Sequence, residues 1–492
     1  MGLFARFGFR QSGLAASVVT LLTAVGCGSG GAAGGGTGGS GATGGSISGA
    51  GGSVGGAGGN AVGAGGATGG TSQSGGNDGQ AGATPLGGAG GGSAGAAGGT
   101  AGTRGASGGG PAIGGGPGIG GTAGAHSGQA GQGGAPPSNP ANPPITPRWA
   151  FEPWAWEDNG NTRASTEGVV NGYLSRQIPI GAVIIDSPWE TGYNTLVWDT
   201  ARYPSPADMI TQFHAKGVKV IMWTTGFVDT DTDVYQTVKQ MGYGVNGSAN
   251  STWWKGTGIH IDVTNPAAAS WWNARMGAVL AGGADGWKLD QGADFIGNPV
   301  KTAAGSLTVT DFKKRLSADF FDYTTSQNPN AIVVVRPYET EQGGVGSDPA
   351  KCSIGWVGDH DGGFSGIAEE LGDIYASAQM GYGAPGVEVG GYFRSPPSKS
   401  SLIRYAQFGA VTPLMENGGT NGGLKEHLPW SWDTQTVDIY RTFATLHSEL
   451  GPYLFSYGVE AHLTGTSILR ATDKAAAQHK LGDQLFASVI TT

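Results

Sequence analysis

Two aspartates end short apolar runs in segments of similar design. One is Asp290 in Ala284-Asp-Gly-Trp-Lys-Leu-Asp290-Gln-Gly-Ala-Asp294; the other is Asp359 in Ile354-Gly-Trp-Val-Gly-Asp359-His-Asp361. A buried parallel strand delivers a charged side chain in this way, into a pocket at its C-terminal end. Two carboxylates so presented from one barrel could cleave a glycosidic bond with retention. One would attack the anomeric carbon and the other would protonate the leaving oxygen, the pair standing ~5–5.5 Å apart. Taken singly, each aspartate could equally cap the helix that follows it.

Three further runs end on Asp186, Trp223 and Arg336. Acids, an arginine and indole rings converging on one cup are what a sugar site uses. Carboxylates and guanidinium fork onto vicinal hydroxyls, and aromatic faces stack on pyranose C–H surfaces. Arg336 near either acid would hold it ionised, and a buried ion pair in the barrel mouth would do the same while orienting it. Trp223 and Trp356 read as sugar platform or barrel interior, whereas the neighbours of Trp287 point it away from the pocket. Asp285 reads as a turn residue, Asp294 as a residue behind the site, and Asp361 as a rival to Asp359.

The elements that must position these residues alternate β-branched runs with helical patterns, as βα units do. Strands are expected at Ala182–Asp186, Val218–Trp223, Gly286–Asp290, Ile332–Arg336, Ile354–Asp359, Pro385–Val389 and Leu485–Ile490. Trp149–Trp156 supplies the first. Helices are expected at Pro206–Lys216, Ala267–Leu280, Phe312–Thr325 and Ile403–Phe408. About eight strands with right-handed crossovers make an α/β (β/α)8 TIM barrel, whose site lies at the C-terminal strand ends.

The remainder of the 492 residues is of another kind. Of the 97 glycines, most precede residue 135, in a Gly/Ala/Ser/Thr stretch almost without aromatic or charged side chains. Such a stretch cannot bury enough apolar surface to offset its chain entropy, so residues 28–147 are expected to form a disordered tether, stiffened by prolines from Ala135 to Pro147. The folded part is expected to begin near Arg148. Glycine is not strictly every third residue, which argues against a collagen helix. Arg6 and Arg10 followed by the apolar Leu14–Val25 form an export signal too short to span a bilayer. It ends in Ala24-Val25-Gly26-Cys27, which resembles a bacterial lipobox with Ala24 in place of the usual leucine. Cys27 would then carry lipid and anchor the protein to a membrane as an outer-membrane or cell-surface lipoprotein. Ordinary signal cleavage would instead leave it periplasmic or secreted. Cys352, the second of two cysteines, reads as a small buried hydrophobe, and no cysteine-based metal site can be built. A net charge of −9 without a basic stripe argues against nucleic acid as a partner.

The chain also resembles glycoside hydrolase family 31. The similarity runs through Tyr203-Pro-Ser-Pro-Ala-Asp-Met-Ile, His214-Ala-Lys-Gly-Val-Lys-Val-Ile-Met-Trp223 and Asp262-Val-Thr-Asn-Pro266 with Trp271-Trp272. It continues through Asp285–Asp290, Trp356-Val-Gly-Asp359, Gly409-Ala-Val-Thr-Pro413, and Leu446-His447 with Pro452-Tyr453-Leu454. The ordered set spans the folded part. The resemblance implies Asp290 as nucleophile, Asp359 as general acid/base, and Asp186 and Arg336 as ligands of the sugar being cleaved. It implies an α-linked oligo- or polysaccharide substrate, with no metal and no organic cofactor.

Departures from the family pattern fall in the sugar-binding part. Glu388-Val-Gly390-Gly391 stands where Asp-Ile-Gly-Gly is usual, making Glu388 a candidate sugar ligand. Met415-Glu416-Asn417-Gly418-Gly419 replaces a segment that carries Arg-x-His, and His427 could approach the pocket instead. The β-domains that usually flank the barrel are expected to be absent. A surface lipoprotein that binds carbohydrate without cleaving it is the competing reading, and a spacer protein centred on the glycine tether is a third.

Overall fold

The computed structural model describes residues 141–158, 160–340, 344–392, 395–418 and 427–492. The export signal, Cys27 and the tether up to residue 140 lie outside the described residues, as does Gly419.

Eight parallel strands close a barrel: β1 (Trp154–Glu157), β2 (Ala182–Ile185), β3 (Lys219–Thr224), β4 (Gly286–Leu289), β5 (Ile332–Val335), β6 (Ile354–Trp356), β7 (Pro385–Val389) and β8 (Met415–Asn417). Neighbours in sequence are neighbours in the barrel, and β8 returns to β1 through Trp154 opposite Glu416. Helices α1 (Arg163–Ser175), α2 (Pro206–Ala215), α3 (Pro266–Ala281), α4 (Val309–Gln327), α5 (Phe364–Gln379), α6 (Lys399–Gly409) and α7 (Thr434–Thr464) follow the strands. The β5–β6 connection holds no α-helix among the described residues, only a hairpin and the 3-10 turn Pro349–Lys351.

Local chemistry starts these helices where they must start. Thr162 and Ser398 form capping boxes with Ser165 and Ser401, Asn265 and Pro266 begin α3, and Asp433 caps α7. The strands are mostly apolar because both their faces are covered. Alternate residues separate into two packed groups. Val183, Ile185, Val220, Met222, Leu289, Val333 and Val335 pack outward against helices. Ile184, Ile221, Ile332, Val334, Ile354 and Trp356 point inward, where the group continues into Phe151, Leu454, Ile468 and Leu481. The barrel interior is thus filled below the site. At the start of β4, Gly286 has φ +153°, and a Cβ there would collide with the Ile332 carbonyl oxygen. Glycine lets β4 and β5 pair closely from their first residue.

Three expectations are corrected. The eighth barrel strand is Met415–Asn417; the expected Leu485–Ile490 instead contributes Leu485–Ser488 to an antiparallel sheet of β9 (Leu469–Asp473), β10 (Gln478–Leu481) and β11. That sheet packs beside α5 and α7, where Tyr375 meets His479 at 3.2 Å and the Tyr453 hydroxyl donates to the Leu481 carbonyl at 2.6 Å. Trp149 lies in a 3-10 helix, Arg148–Phe151, and the first strand begins only at Trp154. The folded unit also starts before Arg148. Asn142 donates to the His462 carbonyl at 2.8 Å, Thr146 is bonded to the Ser353 carbonyl, and Pro143 is buried. Pro143, which reads as linker, is held against α7 by its carbonyl, 2.7 Å from His462 Nδ1, a contact that composition does not reveal.

Candidate active site

The strand ends open on a cavity of about 320 Å³. Asp186, Trp223, Asp290, Arg336, Trp356 and Asp359 all line it, each at or just beyond the C-terminal end of its strand. Arg336 organises the group. Its Nε donates to Asp290 Oδ1 at 3.0 Å, its Nη2 to both oxygens of Asp359 at 3.1 Å, and its Nη1 to Glu339 Oε2 at 2.6 Å. One planar guanidinium therefore fixes both carboxylates. Burial alone would lower the Arg336 pKa, but Asp290, Asp359 and Glu339 outweigh it and keep the group cationic. Trp356 lies beneath, 4.6 Å from the guanidinium carbon. Gly358, at φ +99°, permits the turn into Asp359, and a Cβ there would strike the Glu339 carboxylate.

Asp290 keeps one oxygen nearly free. Among the described residues its Oδ2 accepts only a long 3.3 Å contact, from Trp223 Nε1, and its side chain is 14 % exposed. Glu339 is buried, which raises its pKa to about 7 against the opposing pull of Arg336.

A second charged group forms the cavity floor. Lys288 projects from β4 into the barrel, donates to Glu416 Oε1 at 3.0 Å and stands 4.0 Å from Asp186 Oδ2. Its ammonium lies over the rings of Trp156 and Trp356, at 4.0 and 4.7 Å. Burial works against this charge, but Glu416, Asp186 and Glu388 overcome it and raise the lysine above its ordinary range. Burial in turn pushes the Asp186 carboxyl well above the usual carboxylate range, with Lys288 opposing. Trp156 stacks on Tyr392 at 5.7 Å, and the Tyr392 hydroxyl donates to Asp158 Oδ2 at 2.8 Å. A Cβ on Gly418 would overlap the Trp156 indole, so the ring fills the space a side chain at 418 would take.

Other candidates lie elsewhere. Glu388 faces the barrel interior from β7, fully buried, and does not line the cavity. His427 is likewise buried outside the lining. Trp287 packs edge-on to Phe320 of α4, Asp294 pairs with Lys313 at 2.6 Å, and Asp361 accepts from the Gly363 amide. Cys352 is a buried thiol whose pKa burial raises. Among the described residues no group of three His, Cys, Asp or Glu is arranged to hold a metal ion.

Sequence reasoning passes over Trp156, Asp158, Lys288 and Tyr392, and over Trp254, Lys255 and Phe295 at the rim. Lys288 carries a signal: in a two-residue period it must face opposite Trp287, hence inward. Glu416 carries none, because a three-residue strand with a charge at its centre does not read as barrel.

The family profile described as the glycosyl hydrolases family 31 TIM-barrel domain matches residues 143–457. The chain belongs to glycoside hydrolase family 31. Among curated relatives, an α-xylosidase of Emericella nidulans is 23% identical over 340 residues, covering 67% of this chain and 42% of its own length. A 1,3-α-isomaltosidase of Kribbella flavida is 23% identical over 370 residues, covering 66% and 50%. The chain thus spans half or less of these relatives. A solved family 31 dextranase of Flavobacterium johnsoniae, in complex with glucose, superposes with TM-score 0.64 at 21% identity, covering 71% of this chain and 47% of that one. At that identity the likeness speaks for the barrel.

Proposed function

We propose that this chain is a retaining α-glycosidase with Asp290 as nucleophile and Asp359 as general acid/base. The observation that carries the reading is the Arg336 guanidinium, at the end of β5, holding the carboxylates that follow the flanking strands β4 and β6 in one cavity. With Oδ1 tied to Arg336, Asp290 would present Oδ2 to the anomeric carbon of an α-linked sugar. The bond from that carbon to the leaving oxygen would break as Asp359 passes its proton to that oxygen. A water molecule, deprotonated by Asp359, would then displace Asp290 and release the sugar with its configuration kept. Asp186, Lys288 and Trp156 suit the blind end, where hydroxyls of the cleaved sugar would be read.

The substrate class follows the relatives: α-linked oligosaccharides, with α-glucoside, α-xyloside and α-galactoside as the first sugars to try. We further propose an exported protein, anchored through lipid on Cys27, that works at the cell surface at the end of its glycine tether. Labelled palmitate retained by the wild type and lost in Cys27→Ala tests this part.

A panel of 4-nitrophenyl α-glycosides identifies the sugar. On it, Asp290→Ala should lose more than about 10³-fold in kcat. Asp359→Ala should lose about 10²–10⁴-fold, least with the best leaving group, because a stable anion needs no proton. Undiminished turnover in both variants would refute the assignment.

A further inference from the structure

The turn that presents Asp359 is held from behind by a buried histidine that the chemistry above does not use. His360 follows Asp359 directly, is 1% exposed and does not line the cavity. Its Nδ1 lies 3.1 Å from the Gly358 carbonyl oxygen, and its Nε2 lies 3.2 Å from Asp373 Oδ2 on α5. The first contact closes a small ring across the backbone of Asp359, from the carbonyl before it to the side chain after it. Asp373 reaches further. Its Oδ1 accepts from the Thr340 hydroxyl at 2.6 Å, and its Oδ2 from the Thr340 amide at 3.0 Å.

Thr340 follows Glu339, whose carboxylate already holds Arg336. The contacts therefore make a circuit. It runs from Arg336 to Asp359, along the chain to His360, across to Asp373 and Thr340, and back through Glu339 to Arg336. Bonds linked in this way support one another, so the turn is stiffer than any single contact would make it. Two further bonds come from other elements: the Tyr392 amide donates to the His360 carbonyl at 2.9 Å, and the Tyr405 hydroxyl of α6 to the Asp361 carbonyl at 2.7 Å. The Asp359 carboxylate itself, 21% exposed, has only Arg336 as a hydrogen-bond partner among the described residues. Its place is set by the backbone beneath it, and Gly358 brings no side chain to stiffen that backbone.

Both atoms facing the ring are acceptors, a carbonyl oxygen and a carboxylate oxygen. Both ring nitrogens must therefore donate, and the ring is an imidazolium. Burial opposes that charge, but the bond to Asp373 and the nearby carboxyls of Glu370 and Asp373 outweigh it and raise the pKa to about 9. Burial also raises Glu370, to about 8, so the steady counter-charge at neutral pH is Asp373. Other buried histidines behave differently. Burial lowers His260, His427, His447 and His479 to about 4, and among the described residues none of them bonds to a carboxylate.

We propose that His360, clasped as an imidazolium between the Gly358 carbonyl and Asp373, is a positioning residue for the acid/base Asp359. The inference rests on the proposed glycosidase reading and adds to it what holds the proton donor in place. His360 touches neither substrate nor reacting atoms and works through Asp359. It therefore matters where a leaving oxygen needs a proton, and little where the leaving anion is stable without one.

The test compares two substrates of the sugar that the panel identifies. One is an α-linked disaccharide, whose leaving oxygen needs a proton; the other is the 4-nitrophenyl α-glycoside, whose leaving anion is stable. In His360→Gln, kcat/KM should fall about 30-fold for the disaccharide and less than about threefold for the nitrophenyl glycoside. Asp373→Asn opens the clasp from its other end and should show the same uneven loss, with circular dichroism checking that both variants keep the fold. An equal loss on both substrates, or a loss below about threefold on the disaccharide in both variants, overturns the positioning role. A second readout needs no turnover. In protein labelled with 15N-histidine, NMR at neutral pH should show one ring with both nitrogens protonated that disappears in His360→Gln. A single protonated nitrogen in that ring overturns the clasp. Where the wild type turns over no α-glycoside, the glycosidase reading fails and the role of His360 falls with it, whatever the ring shows.

Discussion

Asp285 and Asp290 sit at opposite ends of the same strand, β4, and both are held by cations, yet their surroundings suit them to different work. At the N-terminal end, Asp285 Oδ1 accepts from Lys219 at 2.8 Å, while Oδ2 accepts from His214 at 2.6 Å and the Val220 amide at 2.9 Å. Both its oxygens are engaged, and it lies outside the cavity that Asp290 lines. At the C-terminal end, Asp290 has one oxygen taken by Arg336 and the other almost unclaimed, facing a cavity. A carboxylate becomes available for chemistry where its hydrogen-bonding capacity is left unfilled on a rigid support, and structural where it is filled. Charge and burial alone do not separate the two.

The contrast can be broken by exchanging what each end loses. Arg336→Met should cost about 10²-fold or more in kcat/KM, because two carboxylates lose their common anchor and a shift of about 1 Å at a reacting group has that effect. Asp285→Asn should leave kcat/KM within about twofold while lowering the unfolding free energy by roughly 1–2 kcal/mol. That is the low part of the range for a lost buried partner, since Lys219 and His214 are a third exposed. Steady-state kinetics beside urea unfolding reads both. A large loss of turnover in Asp285→Asn would show that the two ends are not separate.

A smaller effect sharpens the site end. Glu339 is held at about 7 in the folded chain against an ordinary 4.5, so the folded state binds its proton more tightly than the unfolded one. Its contribution to stability is present below pH 4.5 and is lost as pH rises toward 7. Glu339→Gln should flatten that slope in Tm between about pH 4.5 and 7. An unchanged slope would mean that Arg336 keeps Glu339 ionised throughout.

The same contrast explains what could be read from the sequence. Strands β2, β4, β5 and β7 are apolar runs ended by polar residues or turns, so their positions were legible, and with them Asp186, Asp290 and Arg336. Ile354–Trp356 was legible as a short apolar run, and the Trp-x-Gly-Asp pattern singled out Asp359 beyond it. Strand β8 was not, because Glu416 belongs to a charge cluster with Lys288 that only the closed barrel assembles. Leu485–Ser488 reads as a barrel strand because alternation does not tell a parallel barrel from a small antiparallel sheet. Glu388 carried a plausible motif, but the two-residue period turns it into the interior below the cavity. Trp254 and Phe295 are brought together only by the turns that follow β3 and β4, and their sequence separation conceals the pair.

The central claim is that Asp290 forms a covalent bond to the sugar, and it can be tested by trapping that bond. The wild type would be incubated with a 5-fluoro-α-glycosyl fluoride of the sugar it cleaves, a reagent whose good leaving group and slowed second step let the intermediate accumulate. Peptide mass spectrometry should then find one glycosyl unit on the peptide containing Asp290, at the Asp290 side chain. Turnover with no adduct, or an adduct on Asp359 or any other residue, would contradict the account.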